Sequence, residues 1–529
     1  MDGNAIVLRN LPPEVAGALC SRASRAKESL PRVLLKDFWY PILDGKNREL
    51  AEEFEEVVRF FHRHNFRNVL NAKRAEGFFA RVLAQYGDDS VAQTTGAHLC
   101  FGGISQVAMK FIEDQRIGLE PIEKSTRYVN FGQRQVNSRY LYYTPEPELR
   151  RLGVWDTYTK VLDGLFETYN TLLPRLQEWI AHTHPEGTAL EIEKKAFDTL
   201  RGLLPMATLG QVGFRANGQA FEYLINRSRK HELGEIRWIS HAAEQELDKE
   251  IPSLISRAKD EKAGLYQEYL ANSLVEVEHM LQPKEREILA SVEKVDKPGI
   301  RIVWHDDHME EKIVEGILFS LPHTKLGAQK IRELVDAMPL NRRAEIIDAY
   351  LNQRSERWYK LGRAFENISF LFEIVGNIGM YRDLHRHRLL TQDRQPFTIH
   401  LGYTVPAEIN RAGLENEYRR ALDSVVPLYK KLEQESVELA QYVVPLAYHI
   451  RFYQHQSMSS IFWTIGLRTT SQGHPDYRKI EQEKYLLVLE KLPSVAKHVM
   501  VDLEEYFFTR RGEEKKIEAK EKRILERLQ

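Results

Sequence analysis

The sequence predicts an α+β fold in two tandem repeats, each a mainly helical domain with a small antiparallel sheet. Three observations predict it. Apolar residues recur mostly at helical spacing, as in Ala51 to His64 and Val154 to Ile180. A few short runs read instead as strands, among them Gly299 to His305 and the alternating apolar run Ile368 to Val375. The second half of the chain also retraces the first, and a period this long means two domains of one fold rather than a solenoid.

Residues 1–64 read as a helical extension, broken at Pro12-Pro13 and Pro31. Residues 65–250 form the first repeat. Its helix Asn71 to Tyr86 stops at Gly87, and Gly87 to Ser90 makes a capped turn. His98 to Phe101 is either strand or buried helix, Gly102-Gly103 breaks it, and Ile104 to Glu113 is helical. Pro121 forbids a helix through Gln115 to Tyr128. Helices follow at Val154 to Ile180, Leu190 to Leu204, Phe221 to Arg229 and Glu235 to Leu247. Residues 251–298 are a charged helical connector, 299–509 the second repeat, and 510–529 a charged helical tail.

The repeats echo each other at several places. NRRAE (Asn341 to Glu345) matches NAKRAE (Asn71 to Glu76). A helix from Ser436 to Val444 ends at Pro445, as Leu190 to Leu204 ends at Pro205. LRTTSQGHPDYR (Leu467 to Arg478) matches INRSRKHELGEIR (Ile225 to Arg237), with a spacing of ten from Arg468 to Arg478 and from Arg227 to Arg237.

Two stretches carry the chemistry. In Tyr381 to Phe397 (YRDLHRHRLLTQDRQPF), Arg386, His387 and Arg388 place two planar, permanently charged donors around an imidazole. That set suits a phosphate or an electron-rich ring; an exposed basic turn, or ion pairs to Asp383 and Asp393, explains it as well. In Gln115 to Tyr128 (QRIGLEPIEKSTRY), Glu123, Ser125 and Arg127 are spaced two apart. An extended segment would put all three on one face, able to hold a sugar hydroxyl and a phosphate; a loop knitted by local hydrogen bonds is the alternative. Arg201 is either a ligand contact or a plain surface arginine. Arg227 and Arg468 stand at equivalent places, each with a carboxylate (Glu235, Asp476) eight residues on as a candidate ion-pair partner.

Together these residues resemble the flavin-dependent thymidylate synthase family. Its signature is Arg-His-Arg, two residues, Ser, one, Asn-Glu, one, Ser, one, Arg-Tyr. The first repeat has Gln115-Arg116-Ile117 where the Arg-His-Arg should stand, then keeps Glu123, Ser125, Arg127 and Tyr128. The second keeps Arg386-His387-Arg388, then diverges at Asp393-Arg394 and Pro396. Phe365 to Ile374 resembles the family's Phe-Glu-His strand entry.

The resemblance implies FAD-dependent methylation of dUMP to dTMP, with methylenetetrahydrofolate and NADPH as co-substrates. It implies that Arg386, His387 and Arg388 touch FAD, Arg386 also touching dUMP. Glu123, Ser125, Arg127 and Arg201 would hold dUMP, with Glu123 also near the flavin. Arg468 would be the catalytic arginine that ionises the uracil ring, with Arg227 its first-repeat copy. It implies one live composite set drawn from both repeats and a dead reciprocal set built from Gln115 and Arg394. It further implies a homodimer acting as a pseudo-tetramer. Three positions depart from the family. Asp383 stands where the family has a glutamine, and the flavin-contacting Asn-x-Arg reads Ser457-Met458-Ser459 in one repeat and Ala216-Asn217-Gly218 in the other. A flavin-poor nucleotide-binding or regulatory protein on the same scaffold is the alternative.

Bulk composition sets outer bounds. Lys plus Arg (75) and Asp plus Glu (76) cancel, which weighs against a nucleic-acid partner. Cys20 and Cys100 are too few for a disulfide framework or a four-cysteine metal site. Zinc spacing, GxGxxG and a Walker loop do not occur, so no metal is expected. A membrane-length apolar run and a signal-like N-terminus are likewise missing, so a cytoplasmic location is expected.

Overall fold

The computed structural model describes residues 4–39 and 89–509, except positions 10, 12, 27, 116, 128, 135–138 and 294–296, together with positions 52, 56, 59, 60, 77, 79, 511, 512 and 523. The expected helices Ala51 to His64 and Asn71 to Tyr86, the start of the Gly87 turn and the charged tail lie essentially outside the described residues, as do Arg116 and Tyr128.

Two four-stranded antiparallel sheets are present among the described residues. The first orders its strands β1 (Ala5–Leu8), β2 (Gly96–Ile104), β4 (Gly210–Asn217), β3 (Leu119–Glu123). The second repeats the same plan with β5 (Gly299–His305), β6 (Ser369–Asn377), β8 (His449–Ser457) and β7 (Thr391–Arg394). Helices make up most of the rest, so the chain is two tandem α+β domains as the sequence predicts.

The duplication extends to the turns. In each repeat a strand runs straight into a helix through a side-chain cap. Ser105 Oγ accepts from Ala108 N (3.0 Å) at the start of Gln106–Glu113. Asn377 Oδ1 accepts from Met380 N (2.8 Å) at the start of Ile378–Leu384. Each cap satisfies a helix N–H that would otherwise be unpaired, typically worth about 1 kcal/mol.

Ala5–Leu8 forms a strand where the sequence predicts helix. Four residues are too few to show a period, and what recruits them is the open edge of β2, where Ile6 pairs with Cys100. The ambiguity at His98 to Phe101 resolves as strand: Leu99 and Phe101 enter the core, and Cys100 turns to the opposite face. There the helix Pro13–Ala23 packs down on the sheet. A Cβ on Gly213 would lie 3.0 Å from Cys20 Sγ and 3.1 Å from Cys100 Sγ, so only glycine leaves room for both thiols.

The chain divides into two compact units. One comprises residues 1–170, 203–293 and 419–444; the other comprises 171–202, 294–418 and 445–529. Thus the segment carrying Arg201, which precedes the connector in sequence, packs within the second unit. The first unit's main core gathers around Phe101, Phe214 and Phe221, and the second's around Phe365, Phe370 and Phe372. Among the described residues no helix is long and apolar enough to cross a membrane.

Candidate functional site

Five of the predicted residues come together in the second unit. The helix Ile378–Leu384, which follows β6 directly, is buried along its whole length and packs against β6, β8 and the helix Pro475–Lys491. It closes at His385, and the chain then leaves it in an irregular turn. Exposure alternates there: Arg386 and Arg388 are exposed while His387 between them is only 6% exposed.

Arg201 sits just past the helix Ala189–Leu200 and is 4% exposed, so it is not a plain surface arginine. Its Nη1 donates to Asp383 Oδ2 at 3.2 Å, and Arg386 Nη2 lies 3.7 Å from Asp383 Oδ1. One carboxylate therefore holds two guanidiniums, although Arg201 and Asp383 are 182 positions apart. The Arg386 alternative of a local ion pair is thus partly realised, at an i,i+3 spacing.

His387 Nε2 accepts from Arg468 Nε at 2.8 Å. Burial, reinforced by Arg468, Lys484, Arg386 and Arg388, holds the imidazole well below its ordinary range. A neutral ring is what this geometry requires, since only a neutral imidazole offers a lone pair to a guanidinium. Arg468 lies at the end of Met458–Arg468, over the Tyr477 ring at 5.6 Å, and burial lowers its affinity for its own proton. Its Nε thus meets a neutral partner rather than Asp476, which takes its hydrogen bond from Asn377 Nδ2 at 2.6 Å.

Beneath this pair lies a polar network that the sequence reading misses. Lys484 and Glu481 are both 0% exposed and 2.7 Å apart. Lys484 Nζ also donates to Gln454 Oε1 (3.0 Å), Gln454 Nε2 donates to Gln392 Oε1 (3.2 Å), and Gln392 Nε2 donates to the His385 carbonyl (2.8 Å). The network ties the backbone of the His385–His387 turn to strand β8 and to the helix Pro475–Lys491. In sequence, Glu481 and Lys484 look like an ordinary solvated i,i+3 pair, so no local signal marks them.

Glu123, Ser125, Arg127 and Arg227 lie in the first unit. Glu123 ends β3, and Thr126 and Arg127 lie in a turn, so of the two readings the loop applies beyond Glu123. The chain leaves the strand once pairing with β4 stops at Val212. Glu123 is buried and meets Lys110 Nζ at 3.1 Å, while Ser125 Oγ accepts from Arg127 N at 3.2 Å. The loop is therefore knitted in part by its own hydrogen bonds, and Arg127 is only 7% exposed. Arg227 stacks on Phe111, 4.1 Å above the ring, and donates to the Phe111 carbonyl. Gln115 Nε2 donates to the Ala220 carbonyl at 2.7 Å.

Glu235 is the first unit's counterpart of Asp476. It accepts from Ser105 N (2.8 Å), Ser105 Oγ (2.6 Å) and Tyr442 OH (2.9 Å). Burial pushes its carboxyl up to about 7, against the pull of those donors. A carboxyl raised on folding stabilises the protein fully below its unfolded value near 4.5 and loses that contribution as pH rises through about 7. Stability should therefore fall, by on the order of 3 kcal/mol, between pH 4.5 and 7.5. Thermal melts across that range should show the fall, and Glu235→Gln should flatten it; an equally steep profile in the variant would refute the assignment.

A family model described as thymidylate synthase complementing protein (Thy1) matches residues 47–253 and 307–494. The chain belongs to this family. Each matched segment contains three of the four strands of one sheet, so Thy1 here occurs as a two-copy chain. A UPF0159 protein of Chlamydia pneumoniae is 34% identical over 91% of this chain and 88% of its own. One from Thermoplasma acidophilum is 29% identical over 80% of this chain and 88% of its own. A solved structure of a UMP/dUMP methylase from Streptomyces cacaoi aligns over 39% of this chain and 96% of that one, at 15% identity and a TM-score of 0.30. A likeness of that size carries no argument about fold or ligand.

Thy1 membership raises the question of a flavin. Exposed Arg386 and Arg388 offer forked, permanently charged donors suited to a diphosphate. Ser459 Oγ, in the segment that departs from Asn-x-Arg, is buried and has no hydrogen-bond partner. A pair of cationic side chains and an unsatisfied hydroxyl within one unit fit a polyanionic cofactor.

Proposed function

We propose that the chain is a flavin-dependent thymidylate synthase, methylating dUMP to dTMP with methylenetetrahydrofolate and NADPH. The observation that carries this reading is the Arg468–His387 pair. A half-buried guanidinium whose Nε partner is a neutral imidazole keeps its positive charge available for an incoming anion. Set beside a uracil carbonyl, it stabilises the enolate-like charge that makes the ring carbon nucleophilic. The two cysteines, Cys20 and Cys100, are buried in the first unit against Gly213 and are not needed for that step.

FAD, when bound, would supply hydride and one-carbon chemistry; Arg386, Arg388 and Ser459 would hold it. Arg201 and Arg386 act on the nucleotide from the second unit. Glu123, Ser125 and Arg127 are proposed nucleotide contacts supplied by the first repeat, and Arg227 remains a proposed contact of lower reach because it is stacked on Phe111. The working oligomer is a homodimer.

The test is an absorbance spectrum of the purified chain with added FAD, followed by tritium release from labelled dUMP in the presence of folate and NADPH. A yellow protein that releases tritium is expected; a colourless one that releases none defeats the proposal. Arg386→Ala and Arg127→Ala should each lower tritium release by at least about a hundredfold, the usual loss on removing a charged transition-state or positioning group. Full activity in either variant would remove that residue from the site.

A second reading is favoured by Asp383 and by Ser457-Met458-Ser459. It is a nucleotide-binding or regulatory protein on the same scaffold, and it predicts dUMP binding that is unchanged by flavin and no tritium release.

A further inference from the structure

Two buried donors lie close together, and one of them, Arg201, is bound to Asp383. Arg201 is 4% exposed, and its Nη2 has no hydrogen-bond partner. Tyr418, on the helix Glu415–Asp423, is 0% exposed, and its hydroxyl has none either. The two belong together. A Cβ on Gly202, the residue after Arg201, would lie 2.2 Å from the Tyr418 hydroxyl, so glycine is what admits the ring there. A Cβ on Gly379 would lie 3.1 Å from Arg201 Nε, so the Ile378–Leu384 helix presses equally closely on the guanidinium. An unsatisfied buried donor costs about 1–3 kcal/mol, and two at one point suggest an acceptor that arrives with a ligand.

The first unit handles the same place differently. Tyr158 aligns with Tyr418 in WDTYTKVLD against ENEYRRALD, and its hydroxyl donates to the Tyr143 carbonyl at 2.8 Å. Tyr442 aligns with Gly202, three residues before Pro445 and Pro205 respectively, and its hydroxyl is spent on Glu235. In the first unit the donors are consumed internally; in the second they are kept.

What the ligand can offer follows from Asp383. Its carboxylate lies 3.2 Å from Arg201 Nη1 and 3.7 Å from Arg386 Nη2, in the position a phosphate would take. A second anion placed there meets like-charge repulsion. The groups left unpaired are two donors, Arg201 Nη2 and Tyr418 OH, with Asp383 bound to the other arm of the same guanidinium. A hydroxyl can accept from these donors without adding charge near that carboxylate, whereas a phosphate dianion brings two negative charges to it.

We propose that Asp383 is a specificity-determining residue, filling the anion position of the Arg201–Arg386 pair so that the ligand group meeting Arg201 and Tyr418 is a neutral sugar hydroxyl rather than a phosphate. This rests on the nucleotide reading above and names the ligand group that end of the site takes. A nucleotide's phosphate is then held by other donors.

Calorimetry on the full chain tests it, with inorganic phosphate and deoxyuridine as probes. Asp383→Asn keeps the shape and removes the charge. It should tighten inorganic phosphate binding at least about tenfold, an effect that added salt weakens. Unchanged or weaker phosphate binding in Asp383→Asn overturns the proposal. Tyr418→Phe should weaken deoxyuridine about fivefold or more with no fall in Tm, since the lost hydroxyl has no partner within the protein. A fall in Tm with unaltered deoxyuridine binding would make the hydroxyl structural and overturn the proposal as well. Neither outcome depends on methyl transfer. Tritium release in the unmodified chain decides the proposed function, and the two binding variants decide this inference.

Discussion

Arg468→Lys should lower turnover of dUMP by about a hundred- to a thousandfold, with a much smaller change in nucleotide affinity. Lysine keeps a positive charge but cannot reproduce the forked geometry that points one guanidinium nitrogen at His387 Nε2 and leaves the others for a ligand. Loss of one well-placed donor to a developing oxyanion typically costs about 3–4 kcal/mol of barrier. The effect belongs in kcat rather than KM, because the charge being stabilised exists fully only in the transition state. His387→Gln gives a companion measurement: an amide oxygen can still accept from Arg468 Nε, so it should retain more activity than Arg468→Lys. Steady-state kinetics on the two variants settle it. A raised KM with unchanged kcat in Arg468→Lys would reduce Arg468 to a ground-state contact.

Lys484→Met should destabilise the second unit by about 3–5 kcal/mol, the usual result of stranding one member of a buried ion pair. Glu481 would be left 0% exposed with its cation gone, and its Oε2 already has no hydrogen-bond partner. Gln454 Oε1 would lose the closer of its two donors, keeping only Gln456 Nε2 at 3.4 Å, which loosens the Gln454–Gln392–His385 chain beneath the Arg386–Arg388 turn. Pairing Lys484→Met with Glu481→Leu should restore most of the loss, because two apolar side chains leave no buried charge. Chemical denaturation of the single and double variants is the measurement. An additive double variant, less stable than either single one, would mean that the pair is not coupled. The contrast with surface pairs is large: Arg363 and Glu366 are also i,i+3 at 2.9 Å, yet Arg363 is 90% exposed and that pair contributes little.

Much of the fold is legible along the chain. Strand β6 shows as alternation at Ile368 to Val375, and the long helix Trp155–Thr183 shows as apolar spacing from Val154 to Ile180. The internal duplication shows as matched punctuation around Pro205 and Pro445, and both sheets bear it out. Strand β1 is not legible, because a four-residue segment is held by its partner rather than by its own pattern. Whether Glu123, Ser125 and Arg127 share a face is open in the sequence for a similar reason: spacing of two implies one face only while the strand lasts, and β3 ends at Glu123.

The site divides along the same line. The sequence by itself determined the residue types: an Arg-His-Arg turn at 386–388, an arginine four residues before Pro205, an arginine at 468, and an aspartate at 383 where a glutamine was expected. These are legible because neighbours in sequence carry them. Only the tertiary structure decided what they do to one another. It set Arg201 against Asp383 across 182 positions and Arg468 against His387 across 81. It left Tyr418 and Arg201 each with an unsatisfied buried donor. Hydrogen bonds and ion pairs act over about 3–4 Å, and such approaches are set by how helices and strands pack. A guanidinium's charge can be read from one letter; whether it is spent on a carboxylate or kept for a ligand depends on the fold around it.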